Sequence, residues 1–182
     1  MKILAISGSL RKGSFNTQLL KTVAEFVDQD TSIEVFDLAD VPLYNGDLDG
    51  DTKPAPVQAL LEAIASADGL LIATPEYNYS VPGVLKNAID WASRPAFKSV
   101  ICGKPTGVMS SSMSTIGGAR AQVHLRDVLL ATLTPVYLAP DFALASAHTA
   151  FDENGRLVDE GTRNFLQKYM TGYTQWVANQ KG

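Results

Sequence analysis

Cysteine is almost missing from these 182 residues. Cys102 stands alone, so no internal disulfide can form, and a reducing, cytoplasmic setting is expected. A lone thiol beside Gly103 reads as a packing or surface residue rather than a nucleophile. With only two histidines besides, no metal-ligand spacing occurs. Excess positive charge is absent too: 15 Lys and Arg against 19 Asp and Glu leave a net charge of -4. That balance argues against nucleic acid or an anionic membrane surface as a partner. No apolar run approaches the roughly 20 residues of a membrane span. The run at Lys2–Ile6 is too short for the hydrophobic region of a signal peptide and reads as a buried strand.

Two phosphate-binding fingerprints are also missing. Gly8 and Gly13 have the spacing of P-loop glycines, yet Ser14 stands where that motif needs the lysine that reaches the β- and γ-phosphates. The dinucleotide pattern G-x-G-x-x-G does not occur. Asp37, just past the second strand, therefore lacks the glycines that accompany a ribose-binding acid, and a plain loop acid is the simpler explanation. NTP hydrolysis and Rossmann-type dinucleotide binding are both disfavoured.

What is present is regular alternation. Apolar runs at Lys2–Ile6, Ser32–Phe36, Gly69–Thr74, Thr106–Ser110 and Thr134–Leu138 predict strands. Between and after them, helical periodicity predicts helices over Phe15–Val27, Pro56–Ala65, Val81–Trp91, Ala119–Leu130 and Asp159–Val177. Strands that are continuously apolar and alternate with helices form a parallel sheet covered on both faces. The expected fold class is α/β: a doubly wound five-stranded sheet in one domain spanning residues 1–182. The stretch 37–56, dense in Asp, Gly and Pro, is an irregular connection. Trp91 belongs in the core or an interface. Residues 139–155 fit either a surface excursion or part of a subunit contact.

Three segments are poorly explained by core packing: Gly8–Asn16, Thr74–Gly83 and Ser110–Gly118. They follow strands one, three and four. In the strand order 2-1-3-4-5 those strands are neighbours, so all three loops line one crevice at the carboxyl edge, where ligands of open α/β sheets bind. The first loop offers Ser9, Arg11, Ser14 and Asn16 at the start of a helix, whose free N–H groups and positive dipole end suit a phosphate. The plainer reading is a helix cap on a solvated loop. The second loop is stiffened by Pro75 and Pro82 and carries Glu76, Tyr77, Asn78 and Tyr79. It suits a flat heteroaromatic ring, or the tyrosines cover the sheet end or a subunit contact. The third, with Ser110–Ser112 and Gly117–Gly118, places N–H dipoles where negative charge could build up, although Ser/Gly stretches are also ordinary loops.

Taken together, the segments Gly-Ser-Leu-Arg-Lys-Gly-Ser-Phe-Asn at 8–16, Thr-Pro-Glu-Tyr-Asn-Tyr-Ser-Val-Pro-Gly at 74–83, Leu-Lys-Asn-Ala-Ile-Asp-Trp at 85–91 and Gly-Gly-Ala-Arg at 117–120 resemble the NADPH-dependent FMN reductase family. This family has the flavodoxin-like fold, and the likeness is greatest to its soluble quinone and chromate reductases and their azoreductase relatives. It runs over nearly the whole chain. The resemblance implies noncovalent FMN, with NADPH or NADH as co-substrate and a small oxidised acceptor: a quinone, chromate, an azo or nitro compound, or free flavin. Ser9, Arg11, Ser14, Phe15 and Asn16 would hold the phosphate. Pro75, Glu76, Tyr77 and Asn78 would meet the isoalloxazine, with Ser112 near its pyrimidine edge. It also implies a homodimer or homotetramer, to which Arg120 or His124, together with Asp141, could add polar contacts, the alternative being a solvated helix face. No catalytic acid, base or metal ligand is assigned, because the cofactor carries the chemistry. The rival reading is a flavodoxin-type electron carrier without NAD(P)H turnover. Arg11 and the modest net charge of -4 weigh against it.

Overall fold

The computed structural model describes residues 1–180. Its elements run β1 (Lys2–Ser7), α1 (Phe15–Thr22), β2 (Ser32–Phe36), α2 (Ala55–Ser66), β3 (Gly69–Thr74), α3 (Gly83–Ala92), β4 (Thr106–Ser111), α4 (Ala119–Ala131), β5 (Phe142–Leu144) and α5 (Glu160–Asn179). All strand pairs are parallel, in the expected order 2-1-3-4-5.

The two-residue period of a strand divides its side chains between two cores. Ile3 and Ala5 of β1, Leu71 and Ala73 of β3 and Met109 of β4 face α1 and α5, where they meet Leu19, Leu20, Leu166, Met170 and Tyr173. Leu4 and Ile6, Leu70 and Ile72, and Val108 face α2, α3 and α4 through Leu60, Ile64, Leu85, Ile89, Leu125 and Leu129. Burial on both faces is why these strands carry no polar alternation. Two side-chain caps set helix starts: Ser14 accepts from Thr17 N–H, and Asp159 from Thr162 N–H.

The expected first helix is shorter than its periodicity suggested, because after Thr22 the chain tightens into a 3₁₀ turn at Val23–Phe26. A larger difference concerns the fifth strand. Residues 134–138 make only an isolated bridge, Val136 to Thr106, and the ladder to β4 resumes at Phe142–Leu144. Pro140 lies in the gap and has no N–H to give a ladder. The Tyr169 hydroxyl of α5 fills that gap, accepting from Val108 N–H at 3.0 Å and donating to the Val108 carbonyl at 2.8 Å. Burial pushes its phenol well above the ordinary tyrosine range. Thus the stretch 139–155, expected as an excursion or contact, contains the true edge strand.

The irregular connection after β2 lies against α3. Asn87 Nδ2 and Trp91 Nε1 both donate to the Pro42 carbonyl, at 2.9 and 2.8 Å, and Tyr44 N–H donates to Asn87 Oδ1 at 2.8 Å. Trp91 is fully buried, meeting Tyr44 edge-on at 4.8 Å. Asn87 and Trp91 of that helix therefore hold the loop, while Lys86 and Asp90 pair with each other at 2.6 Å.

Candidate functional site

At the carboxyl edge of the sheet, the loops after β1, β3 and β4 converge around an open cavity of about 420 Å3. Gly8 lets the first two of these loops lie close together: a Cβ there would sit 3.1 Å from Pro75 Cδ and 3.2 Å from Leu85 Cδ2. The loop after β4 turns back through Gly117, whose φ of 66° and 2.7 Å separation of a would-be Cβ from the Ala143 carbonyl exclude any larger residue without a shift.

Every expected site residue except Asn78 lines this cavity. The β1 loop contributes Ser9, Arg11, Ser14, Phe15 and Asn16; the β3 loop contributes Pro75, Glu76 and Tyr77; the β4 loop contributes Ser112. Asn78 instead forms a tight turn with Tyr79, both at positive φ, closed by mutual backbone hydrogen bonds between Tyr77 and Ser80. Asparagine tolerates that left-handed conformation. Ser111 and Met113 also line the cavity; both lie in the third loop segment expected at the crevice, but only Ser112 of that loop was expected at the ring. Their positions beside Ser112 were the available signal.

The residues differ in how free they are. Arg11 is exposed, stacks over Phe15 at 5.1 Å and has no carboxylate within ion-pair distance among the described residues. The first-turn N–H groups of α1 at Phe15 and Asn16 have no intrahelical acceptor. Asn16, by contrast, is committed: its Nδ2 donates to the Ser111 carbonyl at 3.0 Å and its Oδ1 accepts from Ser111 N–H at 2.9 Å. Its side chain braces the start of α1 against the end of β4. Ser14 accepts from Thr17 N–H at 3.3 Å, so the capping reading holds whatever else the hydroxyl does.

Glu76 is likewise committed. It accepts from Arg120 N–H and from the Arg120 guanidinium, each at 3.1 Å, which ties the β3 loop to the first turn of α4. The same guanidinium lies 4.2 Å from the Tyr79 ring. His124 Nδ1 is 3.0 Å from Ser80 Oγ, and Asp141 pairs with Arg126 at 2.6 Å. Arg120, His124 and Asp141, expected to add polar contacts at an interface, therefore all have partners within the chain.

With Glu76 neutralised, the cavity presents one cation, free helix-terminal N–H groups and hydroxyls, beside the apolar surfaces of Phe15, Pro75, Tyr77 and Met113. The buried Ser111 Oγ at its base has no hydrogen-bond partner. A donor-rich end next to a ring-sized apolar wall fits a ligand with a terminal phosphate and a flat, acceptor-edged ring.

A model of the family described as NADPH-dependent FMN reductase matches residues 1–149. The chain is 43% identical over 182 residues to an NAD(P)H-dependent FMN reductase of Pseudomonas aeruginosa, covering 100% of this chain and 98% of that one. It is 44% identical over 181 residues to a 2-hydroxy-1,4-benzoquinone reductase of a Burkholderia species, with coverage of 100% and 98%. Among solved structures, the flavoenzyme NAD(P)H:(acceptor) oxidoreductase FerB from Paracoccus denitrificans superposes with a TM-score of 0.90 at 36% identity, over 98% of both chains.

Proposed function

Because this chain belongs to the NADPH-dependent FMN reductase family, we infer that it is an FMN-dependent oxidoreductase that passes electrons from NAD(P)H to quinones. The observation that carries this reading is the convergence on one cavity of a free Arg11 at a helix start with the Pro75–Tyr77 wall and Ser112. Arg11, Ser9, Ser14 and the first-turn N–H groups of α1 would hold the FMN phosphate. Pro75, Glu76 and Tyr77 would flank the isoalloxazine, and Ser112 would lie at its pyrimidine edge. The chemistry the group supplies when bound is hydride acceptance from the nicotinamide and reduction of the acceptor.

The chain's own residues position and neutralise. The Glu76–Arg120 pair holds the ring wall in place and removes a negative charge that would oppose an electron-rich ring. Tyr77, 52% exposed, leaves the mouth open so that a flat acceptor can approach. No side chain is required as nucleophile, acid or base.

Three finer points belong to this reading. The acceptor range extends beyond quinones to chromate, azo and nitro compounds or free flavin, since an open mouth imposes few specific contacts. The chain works as a homodimer or homotetramer; exposed Tyr79 and Val123 flank Arg120 on one side of α4 and support such a contact. A cytoplasmic setting is supported by the unpaired Cys102. Among the described residues no helix is long and apolar enough to cross a membrane. The test is anaerobic: purified protein should be yellow, bleach with NADPH or NADH, and regain colour with benzoquinone. A colourless protein that takes up no FMN on reconstitution, or a bound flavin that neither nucleotide reduces, would overturn the assignment.

A further inference from the structure

On the other flank of the phosphate loop, a second cleft of about 360 Å3 lies between that loop and the end of β2. It shares Ser9 and Arg11 with the first cavity, so the two are contiguous. Arg11, Lys12 and Lys21 line it, with apolar Val35, Phe36 and Leu38 and a single carboxylate, Asp37. Among the described residues none of the three cations has a carboxylate within ion-pair distance. Asp152 and Glu153 approach Lys12 and Lys21 from the opposite side, across a further depression. Asp152 Oδ1 is already occupied by the N–H groups of Asn154 and Arg156. Asp37 is held at the sheet edge by Ala39 N–H, which donates to its Oδ1 at 2.9 Å.

We propose that this cleft receives the 2′-phosphoadenosine end of NADPH, and that Lys12 and Lys21 read the 2′-phosphate. The inference rests on the proposed function. The nicotinamide must stack on the ring in the first cavity for hydride transfer, and the rest of the dinucleotide then needs a surface reachable from there. The second cleft is contiguous and offers what that end requires: apolar residues for a base, a carboxylate for ribose hydroxyls, and cations for a phosphate. Arg11 serves the FMN phosphate, which leaves two lysines for the second anion. They also screen the repulsion between the two phosphates. The cleft needs no G-x-G-x-x-G, because lysine side chains rather than backbone N–H groups bind the anion.

The test uses FMN-loaded protein and the double variant Lys12→Ala/Lys21→Ala, with NADPH and NADH compared against a fixed concentration of benzoquinone. Two exposed charge-assisted contacts should raise KM for NADPH about tenfold. The kcat should hold, and KM for NADH should change less than about twofold. Calorimetry on wild-type holoprotein should show 2′,5′-ADP binding more tightly than 5′-AMP, with the difference shrinking at high salt and vanishing in the variant. Equal effects on both nucleotides, or no effect on either, would overturn the proposal. Loss of FMN from the variant would do the same by placing the lysines at the flavin phosphate. Failure of the underlying reading looks different, since neither nucleotide would then reduce the wild-type flavin.

Discussion

Replacing Asn16 by alanine separates bracing the fold from binding a phosphate. Asn16 is 3% exposed and its amide satisfies both backbone groups of Ser111, itself 1% exposed. Truncation leaves a buried N–H and a buried carbonyl without partners, at about 1–3 kcal/mol each. Ser111 borders the cavity, so water entering from that side would recover part of the loss. We therefore expect about 2–3 kcal/mol in total, a fall in melting temperature of roughly 5–10 °C for a chain of this size. Urea unfolding of the FMN-free protein, with an unchanged m-value, measures it. Asn16→Asp should not rescue the loss, because a carboxylate keeps the acceptor for Ser111 N–H but opposes the Ser111 carbonyl with a second oxygen. If FMN-free Asn16→Ala unfolds within about 0.5 kcal/mol of wild type while FMN affinity collapses, the bracing argument fails and Asn16 returns to the phosphate.

Arg11→Ala should weaken FMN by about 1.5–3 kcal/mol, roughly ten- to a hundred-fold, while leaving riboflavin binding and FMN-free stability unchanged. Equal losses for FMN and riboflavin would place the phosphate elsewhere. Gly117→Ala forces a left-handed φ of 66° and a 2.7 Å contact with the Ala143 carbonyl, so about 2–4 kcal/mol of stability should go; a wild-type urea midpoint would contradict this. Asp159 is held below its ordinary 3.8 by the Thr162 N–H, at 2.6 Å, and hydroxyl, at 2.8 Å. A carboxylate lowered on folding stabilises above pH 3.8, and that contribution disappears as pH falls through the lower folded value. Asp159→Asn keeps a cap and should flatten this part of the acid limb; a superimposable acid profile would refute the assignment. Turnover should be ping-pong, with parallel double-reciprocal lines, because nicotinamide and acceptor need the same open face; intersecting lines with a stable ternary complex would show that they do not.

Four strands, five helices and the three-loop crevice were legible in the sequence because each rests on local chemistry. Two-sided burial writes continuous apolar runs, helix faces write a 3.6-residue period, and Gly, Pro and Ser mark where the chain must turn. The site followed from those placements, since a doubly wound order brings the ends of strands one, three and four together. Tertiary structure decided what those signals do not encode. The apolar stretch 134–138 looks as strand-like as the others, yet whether it pairs with β4 depended on Pro140 and on a tyrosine hydroxyl arriving from α5, 61 residues from Val108. Asn16, expected at the phosphate, also braces Ser111, 95 residues away. Glu76 was claimed by Arg120 at a separation of 44 residues, and Asn78 by its own turn. Periodicity records which face of an element is buried, whereas a polar side chain can be satisfied by many partners. Only long-range packing selects one, because the group left unpaired in a dry interior is what costs free energy.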